Sequence, residues 1–228
     1  MTIASVRPFF AKASVAADEQ ARRESLAVAE GLKRRKAGLL DELIVRYQHR
    51  LLRYLLFLTG NRETAEDLFQ EVWMRVLVRG GQFNGKSRFE TWLFAIARNL
   101  VIDQRRKRTM NSLDELIDGV GDDDRAMTFE VAADDPTPFE HAANLEDREK
   151  IAAALLELDT LHREVLVLRF YEELSLEEIA KVTKAPLSTV KSRLYRGLAM
   201  VKPRLGYAAE RFDARLGARC DARFREAM

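Results

Sequence analysis

Two stretches with helical periodicity are separated by an acidic stretch that lacks it. From Leu39, apolar residues recur every three or four positions, which is the spacing of a buried helix face. The pattern continues to the cations that end at Arg108 and returns at Leu145. Between them lie Asp122-Asp123-Asp124 and Asp134-Asp135-Pro136, a composition typical of a solvated linker. We therefore expect an all-α fold of two small helical domains joined by a flexible acidic linker.

The same pattern gives the expected domain boundaries. In order, the segments are an N-terminal extension (1–37), a first helical domain (38–108), an acidic linker (109–142), a second helical domain (143–205) and a basic amphipathic C-terminal extension (206–228). Within the N-terminal extension, Ala11–Lys36 has the composition of a helix, but its apolar positions are mostly alanines that bury little surface. We interpret it as an appendage.

Start and stop signals predict three helices in the first domain. The first begins near Leu39 and ends at Gly60, and the second ends at Arg79, where two glycines follow. The third is predicted to begin at Ser87, because Ser87 and Glu90 have the capping-box spacing, in which serine and glutamate satisfy free backbone amides.

Charge is segregated along the chain rather than in excess. The 228 residues include 38 Lys and Arg against 36 Asp and Glu, so the net charge of +2 does not by itself indicate a nucleic-acid partner. The cations cluster at Lys33–Lys36, at Arg105–Arg108 and between Lys191 and Arg204, whereas residues 114 to 140 include many carboxylates and, among Lys and Arg, only Arg125. Such clusters are typical of surfaces that bind phosphates.

The single cysteine, Cys220, forms no internal disulfide and provides no thiolate cluster for zinc. No apolar run reaches the roughly 18 residues of a membrane span, and the N-terminus lacks a secretory signal. We expect a cytoplasmic protein without membrane insertion, metal or cofactor.

Residues 174–201 have the pattern of a helix-turn-helix. Ser175 and Glu178 again have the capping-box spacing and open a short helix, and a second helix follows Pro186. The second helix has one apolar face and one polar face, and the polar side chains are Ser188, Lys191, Ser192, Tyr195 and Arg196. Hydroxyls and cations on one face suit a helix in the major groove. An ordinary helical hairpin with a solvated basic face is the alternative.

A glycine-rich loop before the third helix carries groups that suit unpaired bases. The loop from Gly80 to Lys86 is followed by Phe89, Trp92 and Asn99, and then by cations. Aromatic faces, amides and cations are the groups that hold single-stranded bases. Aromatic residues at helical spacing are, however, more often core residues, and cations at a helix end are favoured there by the helix dipole.

The second helix of the first domain has an acidic face. Asp67, Gln70, Glu71 and Arg75 lie opposite its apolar side. This face is either solvated, with a Glu71–Arg75 pair that contributes a few tenths of a kcal/mol, about 0.2–0.5, or it binds a partner protein.

These stretches resemble a known family. Glu63–Val72 and Phe83–Asn99 closely resemble region two of the extracytoplasmic-function (ECF) sigma factors, and Leu155–Leu205 resembles region four, including Leu176–Ala180 and Thr189–Arg196. Two motif blocks in the family's order, with an acidic linker between them, make the resemblance specific. The N-terminal and C-terminal extensions depart from so compact a family.

The resemblance implies a protein that binds core RNA polymerase and promoter DNA. Asp67, Gln70 and Glu71 would contact the clamp helices of the largest subunit. The flap of the second-largest subunit would be a second contact surface on the polymerase, and an anti-sigma factor is a further partner. The residues implied at the minus-ten element are Phe83, Asn84, Lys86, Ser87, Arg88, Phe89, Trp92, Arg98, Asn99, Arg105 and Arg106. Those implied at the minus-thirty-five element are Ser188, Thr189, Lys191, Ser192, Arg193, Tyr195 and Arg196.

Two other functions fit parts of the sequence. A helix-turn-helix transcription regulator could act without being a polymerase subunit, but residues 39–108 contain neither a strand pattern nor a phosphoacceptor site for its sensing domain. A decoy that binds only a regulator is the second alternative. An enzyme is not expected, because His49, His141 and His162 are dispersed and no nucleophile motif is present.

Overall fold

The computed structural model describes the backbone of residues 7–115 and 145–205 and the side chains of residues 19–107 and 150–205. This part of the chain is all-α, as expected. Its elements are α1 (Arg7–Lys33), α2 (Leu39–Thr59), α3 (Arg62–Arg79), a 3-10 helix (Gly80–Gln82), α4 (Phe89–Glu115), α5 (Leu145–Leu156), α6 (Thr160–Phe170), α7 (Leu176–Thr183) and α8 (Leu187–Leu205). None of these helices is long and apolar enough to cross a membrane.

Contacts between backbones divide the chain into two compact units. The first consists of Met1–Leu55, Arg62–Gly121 and Lys181–Thr183, and the second of Leu56–Asn61, Asp122–Ala180 and Lys184–Met228. Most of the linker expected at 109–142, and the C-terminal extension expected at 206–228, lie outside the described residues. The boundaries expected for these segments stay predictions.

Packing of α2, α3 and α4 forms the core of the first unit. Leu51 and Leu55 on α2 and Leu93 on α4 are fully buried. Tyr54 and Phe94 pack edge to face, with ring centroids 5.1 Å apart, a geometry that aromatic quadrupoles favour. α2 ends as predicted at Gly60, which has a φ of +66° that glycine adopts without a steric penalty.

α4 differs from the prediction at both ends. It begins at Phe89, and the Trp92 amide donates to the Arg88 carbonyl, so Arg88 rather than Ser87 is the residue before the helix. The Glu90 carboxylate accepts from the Arg88 guanidinium at 3.3 Å, so the capping box expected at Ser87 is wrong. The helix also continues to Glu115, past the end expected at Arg108. Once a helix is nucleated, each added residue costs little.

α1 belongs to the first unit and packs against its 3-10 helix, a contact that the sequence did not predict. Ser25 and Ala29 are buried, although α1 is rich in alanine and arginine. The partner surface is the 3-10 helix and the residues after it, where Gly80 and Gly85 carry no side chain to hold α1 away. The two glycines therefore let this segment approach leucine side chains and the backbone of α1 closely.

Helices α5, α6 and α8 and most of α7 lie in the second unit. Val165–Leu168 is helical and fully buried within α6, so the strand that this apolar run could have formed is not present. Asp159 caps α6 by accepting hydrogen bonds from the amides of Leu161 and His162. Gly197 on α8 lets α6 approach closely, because a Cβ at Gly197 would lie 3.1 Å from Cδ1 of Leu166.

Candidate nucleic-acid interface

The helix-turn-helix predicted at residues 174–201 is present. The Ser175 hydroxyl accepts from the Glu178 amide at 3.2 Å, and the Glu178 carboxylate accepts from the Ser175 amide at 2.8 Å, so the predicted capping box opens α7. Lys184 then adopts a left-handed conformation with a φ of +51°. After a turn of three residues, α8 begins with the Val190 amide donating to the Pro186 carbonyl at 3.0 Å. Turns of three or four residues are typical of DNA-binding helix pairs.

α8 has the two faces that the sequence predicted. Val190, Leu194, Leu198 and Val201 are buried. The exposed side chains are Ser188, Lys191, Ser192, Tyr195 and Arg196, with Thr189 and Arg193 half-buried at the edge of that face. Hydroxyls near the helix start can reach phosphates, and the cations further along can reach phosphates or guanine edges. The face therefore has the chemistry of a major-groove helix.

In the first unit, the loop of residues 83–88 is held in one conformation by its own hydrogen bonds. The Phe83 amide donates to the Gly80 carbonyl at 3.0 Å, and the Asn84 side-chain oxygen accepts from the Lys86 amide at 3.0 Å. Gly85 is left-handed, with a φ of +68°. Asn84, Lys86 and Arg88 are exposed, so the 83–88 loop presents an amide and two cations to solvent.

The aromatic side chains of this region form a cluster instead of an open platform. The Phe83 ring lies 5.6 Å from Phe89 and 5.2 Å from Trp92, and Phe89 lies 5.4 Å from Tyr47 (all centroid distances). Phe83 is 4% exposed and Phe89 is 2% exposed. Direct contact of these two rings with DNA does not fit this burial, because the neighbouring rings of the cluster and the rest of the core cover them. Trp92 remains half-buried and is the ring of the cluster that a base can reach.

Two rows of polar side chains extend along α4 from this cluster. Trp92, Asn99 and Arg106 follow one another at intervals of seven residues and so lie on one face. Arg98 and Arg105 have the same interval and form a second row. Arg105 and Arg106 are exposed, and Arg98 and Asn99 are half-buried. From Trp92 to Arg106 the helix rises by about 21 Å, so the rows can follow several nucleotides.

Tyr47 links α2 to the start of α4. Burial raises the pKa of the Tyr47 phenol to about 12, and the Glu90 carboxylate adds to the rise through its charge and its hydrogen bond with the phenol. The Arg50 guanidinium lies 5.6 Å from the centroid of the Tyr47 ring. Glu90 is thus a partner of both Tyr47 and Arg88. These two contacts fix the first turn of α4, which directly follows the 83–88 loop.

The acidic face of α3 is exposed, as the sequence predicted. Asp67, Gln70 and Glu71 all face solvent, and Glu71 pairs with Arg75 at 2.9 Å. Three apolar side chains farther along the helix are also exposed, and the sequence analysis did not identify them: Met74 (55%), Leu77 (58%) and Val78 (73%). Met74 and Val78 continue the row of Asp67 and Glu71. An acidic row that ends in apolar side chains suits a protein partner.

Within the side chains that the structure describes, no group of three or more His, Cys, Asp or Glu residues is placed to hold a metal ion.

Comparisons with known proteins identify both units. Residues 43–110 match the family Sigma-70 region 2, and residues 148–201 match Sigma-70, region 4. The ECF RNA polymerase sigma factor SigW of Bacillus subtilis is 31% identical over 184 residues, which cover 79% of this chain and 97% of SigW. The chain belongs to the ECF sigma factors. The ECF sigma factor SigL of Mycobacterium tuberculosis is 34% identical over 185 residues, with 79% and 98% coverage.

A solved structure agrees with this family. The sigma factor RpoE from Bartonella quintana, in complex with the anti-sigma factor NepR, matches with a TM-score of 0.60 and 26% identity over 73% of this chain and 96% of that one. The ECF sigma factor described here is accordingly a transcription initiation factor of RNA polymerase. The alternative of a helix-turn-helix regulator that acts without being a polymerase subunit is not supported, because region 2 occupies the place of a sensing domain.

Proposed function

We propose that this ECF sigma factor docks on core RNA polymerase through α3, captures the minus-ten element with the 83–88 loop and α4, and recognises the minus-thirty-five element with α8. The observation that carries the proposal is the row of Trp92, Asn99 and Arg106, which follows the exposed Asn84, Lys86 and Arg88 of the 83–88 loop. A protein that binds only duplex DNA through α8 has no use for a second surface with an accessible ring, an amide and cations.

The α3 face supports polymerase docking. The carboxylates of Asp67 and Glu71 and the amide of Gln70 are exposed on one face, and Met74 adds apolar surface beside them. Polar groups next to an apolar centre are the usual composition of a protein interface. The partner surface on the polymerase is the clamp helices of its largest subunit, and the flap of the second-largest subunit receives the second unit.

At the minus-ten element the sigma factor acts by binding, without bond chemistry. A base that leaves the duplex costs a few kcal/mol, roughly 2–4, in lost stacking and pairing. Stacking on an aromatic ring returns about 1–3 kcal/mol per base. Trp92 offers the ring, Asn84 and Asn99 offer amides for base edges, and Arg98, Arg105 and Arg106 are placed for the adjacent phosphates. Ser87 and the cations Lys86 and Arg88 lie directly before the first turn of α4. Open DNA is stabilised because only open DNA makes these contacts.

At the minus-thirty-five element, α8 enters the major groove of duplex DNA. Lys191, Arg193 and Arg196 supply the cations, and Ser188, Thr189, Ser192 and Tyr195 supply hydroxyls. Separate surfaces for single-stranded and duplex DNA on two compact units are what a factor needs to bind two promoter elements at once. We propose that the protein acts in the cytoplasm, because its proposed partners, promoter DNA and RNA polymerase, are there.

An anti-sigma factor is the third partner that we propose. The RpoE structure that this chain resembles is a complex with the anti-sigma factor NepR. Met74, Leu77 and Val78 give this sigma factor an exposed apolar surface beside the polymerase-docking face. A regulator bound there would block the polymerase.

Run-off transcription tests the proposal. Core polymerase from a bacterium is combined with the purified protein and with genomic templates from its source. We expect new, discrete start sites that require the protein, and their upstream sequences give the promoter motif. Absence of transcripts, together with duplex binding by the protein, would contradict the sigma-factor mechanism and favour a regulator.

A further inference from the structure

We propose that α1 is a positioning element for minus-ten recognition, which it serves by supporting the 83–88 loop through the contact of Gly85 with Ser25 and Leu26. The inference rests on the function proposed above for that loop. It assigns a role to the N-terminal helix, whose sequence indicated no role.

Gly85 lies directly on the backbone of α1. It is buried, and a Cβ at this position would lie 2.9 Å from Cδ2 of Leu26, 3.1 Å from Cα of Leu26 and 3.2 Å from the carbonyl oxygen of Ser25. Real Cβ atoms essentially never approach other atoms more closely than 3.0 Å. Only the contact with Cδ2 of Leu26, the end of a flexible side chain, is below that limit. The two backbone atoms, at 3.1 and 3.2 Å, are in the range where a neighbour must move by a few tenths of an ångström, and a helix backbone does not move aside as a side-chain end does. A methyl group at residue 85 therefore pushes the loop away from α1 by a few tenths of an ångström.

A second contact continues this surface toward the C-terminal end of α1. A Cβ at Gly80 would lie 3.3 Å from Cδ2 and 3.5 Å from Cβ of Leu32, and one at Gly81 would lie 3.9 Å from Cα of Lys33. From Ser25 to Lys33 the helix rises by about 12 Å. The 3-10 helix is thus next to one end of this span and the 83–88 loop is next to the other, so the two together set the orientation of the loop relative to α1.

Other residues of the loop carry the groups proposed to meet DNA. Asn84, Lys86 and Arg88 are exposed, and Phe83 is buried against Phe89 and Trp92. The loop is therefore fixed on one side by the Phe83 ring and on another by α1. In this proposal Ser25 and Leu26 contact neither promoter DNA nor core polymerase. They act through the loop, because a loop that leaves α1 presents its amide and cations in other positions.

Two other glycines, Gly81 and Gly60, provide matched controls for the variant Gly85→Ala. Gly85→Ala in the full-length protein disturbs the contact with α1. Gly81→Ala adds the same methyl group in the same region, where the nearest atom is 3.9 Å away. Gly60→Ala introduces the same left-handed strain, since the φ of Gly60 is +66°, but nothing lies within 4 Å of the added methyl group. Leu26→Ala trims the α1 side of the contact at a half-exposed residue, so it preserves folding.

The decisive measurement is the ratio of holoenzyme affinities for two single-stranded oligonucleotides. One carries the minus-ten sequence found by run-off transcription, and the other carries the same sequence with its flipped base replaced. We expect Gly85→Ala to reduce this ratio about tenfold and Leu26→Ala about threefold. Binding of core polymerase should be unchanged, and Gly81→Ala and Gly60→Ala should keep the wild-type ratio. A general loss of stability lowers the active fraction and leaves the ratio unchanged.

Hydrogen exchange on the same proteins separates the two ways in which the inference can fail. We expect faster exchange of the amides of residues 84–88 in Gly85→Ala than in Gly81→Ala. If the ratio and the exchange of Gly85→Ala both match those of Gly81→Ala, α1 does not position the loop. If the wild-type holoenzyme does not discriminate between the oligonucleotides, the minus-ten function of the loop is overturned, and the exchange data alone decide whether α1 supports it.

Discussion

Ser175 and Glu178 exchange two hydrogen bonds at the start of α7. The Ser175 hydroxyl accepts from the Glu178 amide, and the Glu178 carboxylate accepts from the Ser175 amide. α7 has only eight residues, so its four free amino-terminal amides are a large share of its backbone. This reciprocal cap therefore sets where the helix-turn-helix begins and how α8 is presented.

Loss of this cap is expected to destabilise the second unit. Ser175→Ala removes the hydroxyl acceptor and should lower the free energy of unfolding by about 1 kcal/mol. Urea denaturation of the two proteins measures the difference. Ser192→Ala is the control, because Ser192 is exposed in the middle of α8. Equal stabilities of Ser175→Ala and Ser192→Ala would contradict the role of the cap.

High pH is expected to destabilise the first unit through Tyr47. The folded pKa of the phenol, about 12, is above its usual value of 10.0. The folded state therefore favours the neutral phenol, and this stabilisation is complete below pH 10 and is lost as the pH rises to about 12. The rise of the pKa from 10.0 to about 12 corresponds to about 2–3 kcal/mol of the free energy of unfolding. Tyr47→Phe removes the titrating group, so its stability should fall less steeply over this pH range. Parallel curves for the two proteins would exclude Tyr47 as the cause.

Reversal of charge on α3 is expected to weaken polymerase binding. Asp67→Lys with Glu71→Lys places two cations where we propose that the clamp helices contact carboxylates. Truncating a paired charge at an interface costs about 2–5 kcal/mol, so we expect at least a thirtyfold weaker affinity for core polymerase. Duplex binding through α8 should be unchanged. Asp103→Lys, an exposed reversal on α4, is the control, and normal holoenzyme assembly by the double variant would refute the docking assignment.

Removal of two α8 cations is expected to lower promoter occupancy. Lys191→Ala with Arg196→Ala should weaken binding to the minus-thirty-five duplex by a few kcal/mol, since each specific contact contributes about 1–3 kcal/mol. Lys150→Ala removes a cation from α5 and serves as the control. The measurement is affinity for the promoter duplex and for a random duplex at one salt concentration. Equal losses on both duplexes would show that these two side chains contact phosphates only.

Much of the fold was predictable because helices are local. The spacing of apolar residues identified α2, α3 and α8, and the Ser175–Glu178 spacing identified the start of α7. The polar face of α8 was predicted residue by residue, since one helix with one buried stripe leaves the other face to solvent. The same spacing at Ser87 and Glu90 did not give a cap, because Glu90 has other partners, Tyr47 on α2 and Arg88.

The sequence by itself determined the helices, the family and the polar surfaces of α3 and α8, since each depends on residues that are neighbours along one helix. Only the tertiary structure decided that Phe83 and Phe89 are core residues, that Trp92 is the accessible ring and that Gly85 lies against Ser25 and Leu26. These facts depend on the approach of segments about 60 residues apart in the chain or on packing among several rings. The residues near an aromatic side chain in the sequence do not determine which of its faces another helix will cover.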